Sequence, residues 1–115
     1  MNFNLEVQRE VCKKFGSVWV PARAYEKIGI ALQTLQLVPI HGVRVFPKQG
    51  VTGWYIWAGD YSADADFYQP LHTCHIDDHC PWVTKYLGLE PGFRFMIDRE
   101  GFEDVWKEEA KSVFD

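Results

Sequence analysis

Cysteine, positive charge and long apolar runs are all in short supply in this chain, and each shortage excludes something. Only Cys12, Cys74 and Cys80 are present. Three thiols in no secreted-scaffold pattern suit a reducing compartment, so a cytoplasmic location is expected. Twelve Lys and Arg stand against sixteen Asp and Glu, a formal charge of −4. That balance argues against a binder of the phosphate backbone, and no nucleic-acid partner is expected. No apolar run approaches the ~20 residues of a membrane helix, and no basic segment followed by an apolar stretch opens the chain, so no membrane partner is expected either. Repeats, low-complexity tracts and linkers are missing, which leaves one domain over residues 1–115 and an oligomeric state that the sequence does not reveal. No catalytic motif is spelled, and the expectation is a protein that is not an enzyme.

What is abundant is core material. Hydrophobic residues make up 47% and aromatics 16%, enough to bury a core without a metal or disulfide staple. The patterning predicts an α+β domain, a mainly antiparallel sheet packed with two or three helices. Residues 4–15 read as a helix, with Asn2 or Asn4 as cap, Glu6 in the first turn, Lys13 and Lys14 in the last, and Gly16 beyond. Residues 17–20 suggest a short strand stopped by Pro21, and 28–32 a buried strand with Gly29 inside. Residues 33–38 fit either a helical turn or a loop, 39–42 a turn, 43–46 an extended segment and 47–50 another turn.

Residues 53–57 form the most aromatic stretch, with Trp54 and Ile56 on one face and Tyr55 and Trp57 on the other. Both faces are apolar, which predicts a central strand covered on both sides. Further on, Ile76, Cys80, Val83 and Leu87 make one helical stripe, interrupted by Pro81, which either kinks the helix or opens a second one. Residues 93–97 and 102–106 read as strands joined by a turn at 98–101, and Trp106, Ala110 and Val113 have the spacing of a last helix.

Two stretches offer chemistry. His72, Cys74, His75, His79 and Cys80 place five soft-metal ligand types within nine residues, but in no standard zinc spacing, and Cys80 also belongs to the apolar stripe. No metal or cofactor is expected. Asp60, Ser62, Asp64 and Asp66 imitate the opening of a calcium loop, yet Ala65 replaces the turn glycine and Leu71 the closing glutamate, so an acidic loop facing solvent or a basic partner is the better reading. A Cys74 nucleophile beside His75 or His72 lacks an orienting acid and an oxyanion-hole pattern. Glu103 and Asp104, adjacent on a strand, point to opposite faces and make a poor acid–base pair.

Distinct short motifs follow one another in a fixed order along nearly the whole chain: residues 8–12 with Phe15 and Gly16, 28–32, 39–42, 53–57, Asp64, Asp66 and Phe67, Pro70 to His72 with His75, 86–89, Pro91 and Gly92, Arg94 and Phe95, and 103–106. In these the chain resembles the immunity protein 33-like domain, a family of antidotes to bacterial polymorphic toxins. The pattern commonly carries proline where Ala65 and Glu90 stand here, and it does not share Cys74, His79 or Cys80, whereas His72 and His75 match. The resemblance implies a non-enzymatic protein that binds and neutralises a toxin domain in the bacterial cytoplasm. Asp60, Asp64, Asp66, His72, His75, Glu103 and Asp104 are the candidate partner-binding residues. The competing expectation is a small-ligand protein or enzyme with a pocket near His72, His75 and Glu103.

Overall fold

The computed structural model describes residues 5–108. Helix α1 spans Leu5–Phe15, with Glu6 in its first turn and Lys13 and Lys14 in its last, each charge favourably placed against the helix dipole. Gly16, at φ 77, releases the chain where a left-handed residue is needed. The proposed caps Asn2 and Asn4 lie outside the described residues, as does the tail from 109 that was expected to be helical.

Six strands follow: β1 (Lys27–Ile30), β2 (Ile40–Arg44), β3 (Val51–Ala58), β4 (Gln69–His72), β5 (Phe93–Ile97) and β6 (Glu103–Lys107). They form one sheet in the order β4-β1-β3-β2-β5-β6. The expected mainly antiparallel sheet is in fact mixed. β2 and β3 make an antiparallel hairpin, and β3 inserts between β2 and β1, so that β1 and β3 run parallel. The other neighbours pair antiparallel.

Helix content also differs from expectation. Among the described residues α1 is the one α-helix, and the remaining helical segments, Leu32–Thr34, Thr73–Asp78 and Pro81–Tyr86, are 3-10. Pro81 opens its segment, where a missing N–H costs no intrahelical bond. The stripe Ile76, Cys80, Val83 and Leu87 is nevertheless fully buried. Trp106 lies in β6 rather than starting a helix. Residues 17–20 form no strand beyond a single bridge from Trp19 to Leu89. β2 begins at Ile40, inside the segment read as a turn, because Ile40 enters the core and Gly42 takes its place in the ladder between Ile56 and Phe95. A Cβ on Gly42 would stand 2.1 Å from the Phe95 ring. Only glycine lets that ring cross β2.

One face of the sheet builds the core. Ile28, Ile30, Ile40, Trp54, Ile56, Phe93, Phe95 and Ile97 pack there with Val11 and Cys12 of α1 and with Ile76, Val83, Tyr86 and Leu87. Arg44 shares this interior at 2% exposure. Its Nε donates to the Thr52 carbonyl (2.9 Å), and its Nη1 to those of Val20 (2.6 Å), Leu87 (3.3 Å) and Leu89 (2.7 Å). The guanidinium also lies 5.6 Å from the Trp54 ring. Burial pulls its pKa down to about 10, against the opposing pull of Glu26. A buried cation is tolerable when its donors are engaged, and here main-chain dipoles supply that engagement. No helix among the described residues is long and apolar enough to cross a membrane.

Candidate functional site: an aromatic sheet face with an acidic rim

Alternation sends the other residues of each strand to the opposite face. The register aligns two rows across it: Pro70, Gly29, Tyr55, Val43, Arg94 and Trp106, then Trp57, His41, Met96 and Asp104. Tyr55, Trp57, His41, Val43, Met96 and Trp106 are half-buried, unlike their inward neighbours. This corrects the expectation of a strand covered equally on both sides: β3 is central in the sheet, but one of its faces stays partly open.

The segment 59–68 after β3 returns over this face. Tyr61 meets Trp57 edge-on at 5.7 Å, and Tyr68 stands 5.0 Å from Tyr55 and 6.4 Å from Trp57, each in T-shaped geometry. Phe67 is buried between Tyr61 and Tyr68 at 5.7 and 5.0 Å and anchors the return. Gly29 makes room for the arrangement, since a Cβ there would stand 2.9 Å from the Tyr55 ring. Between these rings lies a cavity of about 340 Å³ lined by Val43, Val45, Tyr55, Trp57, Tyr61 and Tyr68. A second cavity, about 250 Å³, shares Tyr55 and Tyr68 and continues toward Phe46 and Pro70.

Trp57 is the hub of this face. His41 stacks on its ring at 4.8 Å with planes 17° apart, and burial lowers the His41 pKa against a main-chain bond with Gly59 that raises it. The Trp57 indole N–H is buried and has no hydrogen-bond partner among the described residues. A buried donor is normally paired, so this one carries an uncompensated desolvation cost. The Tyr68 phenol is pushed well above its ordinary range by burial first and then by the nearby Tyr61 and Tyr55 phenols.

The sequence-predicted site residues divide into three groups. Asp60, Asp64 and Asp66 are exposed on the returning segment, interleaved with Tyr61 and adjoining Phe67. Internal bonds shape that loop: the Asp64 N–H donates to Ser62 Oγ at 3.1 Å, and the Phe67 N–H donates to the Asp64 carbonyl at 3.0 Å. Asp104 is exposed and shares the row of Trp57, at the far edge strand. Glu103 takes the opposite face, as strand alternation requires. It accepts the Tyr86 hydroxyl at 2.5 Å and the Lys14 ammonium at 3.1 Å, and lies 3.9 Å from Lys85. The Tyr86 bond, outweighing desolvation and helped by Lys14 and Lys85, holds the Glu103 carboxyl below its ordinary pKa. Glu103 also borders a cavity of about 520 Å³ with Trp82, Lys85, Tyr86, Arg99 and Phe102.

His72 and His75 form the third group. Both are exposed, with rings 6.4 Å apart, and His75 Nδ1 lies 3.8 Å from an Asp78 carboxylate oxygen. They sit at β4 and just beyond it, whereas Glu103 is on β6, and these strands are the two edges of the sheet. The expected pocket joining His72, His75 and Glu103 therefore does not form, and the two histidines line none of the three cavities described above. The metal-like stretch is likewise split: Cys80 turns into the core, where burial pushes its thiol up to about 12. Among the described residues no three His, Cys, Asp or Glu converge to hold a metal ion.

The sequence reading singled out the acids of this segment and not the tyrosines that converge beside them. The available signal was the apolar character of both faces of residues 53–57, read as double coverage instead of one packed face and one open one. An aromatic centre bordered by charged, solvated residues has the anatomy of a protein-binding surface. The family model of the Imm33-like domain matches residues 7–108, and the chain belongs to that family. No curated protein and no solved structure matches it.

Proposed function

We propose that this chain is an immunity protein that captures a toxin domain in the bacterial cytoplasm and neutralises it by binding, not by catalysis. The observation that carries this reading is the half-open aromatic face of Tyr55, Trp57, Tyr61 and Tyr68 beside the exposed Asp60, Asp64 and Asp66. Tyrosine and tryptophan supply large contact area at little conformational cost and dominate binding hot spots. Carboxylates around them speed encounter with a basic surface and discriminate against acidic ones. Family membership supports a toxin as the partner, and the net charge of −4 favours a basic one.

The test is co-expression with toxins encoded beside the gene, read as survival and as recovery of the complex by pull-down. Wild type is expected to protect, and the triple change Asp60→Lys, Asp64→Lys and Asp66→Lys to slow association most strongly at low salt. Absence of both binding and protection for every neighbouring toxin removes the proposal.

A further inference from the structure

The cavity between the aromatic rings is specific enough to name what enters it. Among the described residues its lining contains no Lys, Arg, Asp or Glu: Val43 and Val45 contribute aliphatic surface, and Tyr55, Trp57, Tyr61 and Tyr68 contribute rings. At about 340 Å³ it lies at the small end of ligand pockets, which run ~300–1,000 Å³, with room for one long side chain. Where a ring face lines the cavity, the negative part of its quadrupole attracts a cation more than a neutral apolar group. Asp60 precedes Tyr61 directly, and Asp64 and Asp66 follow on the same exposed loop, so carboxylates stand within two residues of the lining residues Tyr61 and Tyr68.

Two neighbouring bases, Lys27 and Arg94, are engaged elsewhere. Lys27 borders the adjoining cavity rather than this one, and Arg94 is held by Glu108 at 2.6 Å. The Trp57 indole N–H, buried and unpaired among the described residues, belongs to a ring that lines the cavity and can report on its occupancy.

On the reading of this face as the partner-binding surface, we propose that the cavity receives an arginine side chain of the partner, its guanidinium held against Trp57, Tyr61 and Tyr68. Arginine fits better than lysine because its planar head stacks on rings and sheds water more readily.

The test needs no toxin. The indole N–H resonance of Trp57 in the ¹⁵N-labelled full chain is followed while acetyl-arginine methylamide is added at low salt. The citrulline and norleucine analogues, which keep the carbonyls and lose the charge, serve as comparisons. A saturable shift is expected with arginine and a response at least about tenfold weaker with either analogue. The shift should vanish in Tyr61→Ala, whose melting temperature should match wild type because Tyr61 is 62% exposed. No saturable shift, an equal response to citrulline or norleucine, or an unchanged shift in Tyr61→Ala overturns the proposal. So does a Trp57 signal that moves with protein concentration, which would put a second copy on this face. Arginine binding without protection from any toxin would instead sink the immunity reading and leave the pocket standing, and protection without arginine binding would do the reverse.

Discussion

Trp54 and Trp57 stand on the same strand, yet they belong to different kinds of surface. Trp54 is 1% exposed, tilts against Phe95 at 5.5 Å and donates its indole N–H to the Leu87 carbonyl at 3.0 Å. Trp57 is half-buried, stacks on His41 and leaves its N–H unpaired among the described residues. The first ring has every polar group matched from within the fold. The second is well placed, but its indole N–H lacks a match among the described residues. The difference teaches that residue type does not separate a fully packed aromatic from a half-open one; exposure and hydrogen-bond completion do.

The strongest way to break the comparison is to truncate both rings. Trp54→Ala should destabilise the fold by roughly 3 to 5 kcal/mol, through the lost ring and the cavity it leaves, with the Leu87 carbonyl keeping only its longer Arg44 bond. Chemical denaturation measures this. Trp57→Ala should cost less, about 1 to 3 kcal/mol, because part of its surface is already solvated and the change removes an unpaired buried donor. Equal losses at the two positions would erase the distinction between the faces.

A smaller effect asks what charge adds on the covered side. The folded-state pKa of Glu103 lies below its ordinary value, with the Tyr86 hydroxyl the largest cause. Its ionised form therefore favours folding, a contribution fully present above the unfolded carboxyl pKa of ~4.3 and lost as pH falls through the lower folded value. Glu103→Gln should lower the urea midpoint at neutral pH, and the gap to wild type should close in acid. A gap that persists unchanged at low pH would assign the effect to shape rather than charge.

Much of this architecture was legible from local pattern. The first helix, the aromatic strand, the closing hairpin and the stripe from Ile76 to Leu87 all follow from periodicity and turn chemistry, which depend on neighbours in the chain. The parallel pairing of β1 with β3 was not legible, because it depends on how a finished hairpin docks. The start of β2 was hidden by Pro39 and Gly42, which read as turn residues although Gly42 serves the passage of Phe95. Asp60, Asp64 and Asp66 were visible as an exposed loop, but the convergence of Tyr55, Tyr61 and Tyr68 required both the sheet register and the returning segment. Arg44 escaped notice although it continues the inward alternation of Ile40 and Gly42, since a charge at such a position reads as solvent-facing until its acceptors are known.

Those acceptors have a consequence for the order in which the molecule assembles. Apart from Thr52, eight positions away, the carbonyls around Arg44 come from residues 24, 43 and 45 positions distant. Until the long loops between them have closed, the guanidinium is better off hydrated, so its burial belongs late in folding. The cluster acts as a latch rather than a nucleus. In rate terms, Arg44→Met should speed unfolding in stopped-flow measurements while leaving the refolding rate nearly unchanged, the signature of contacts made after the barrier has been crossed.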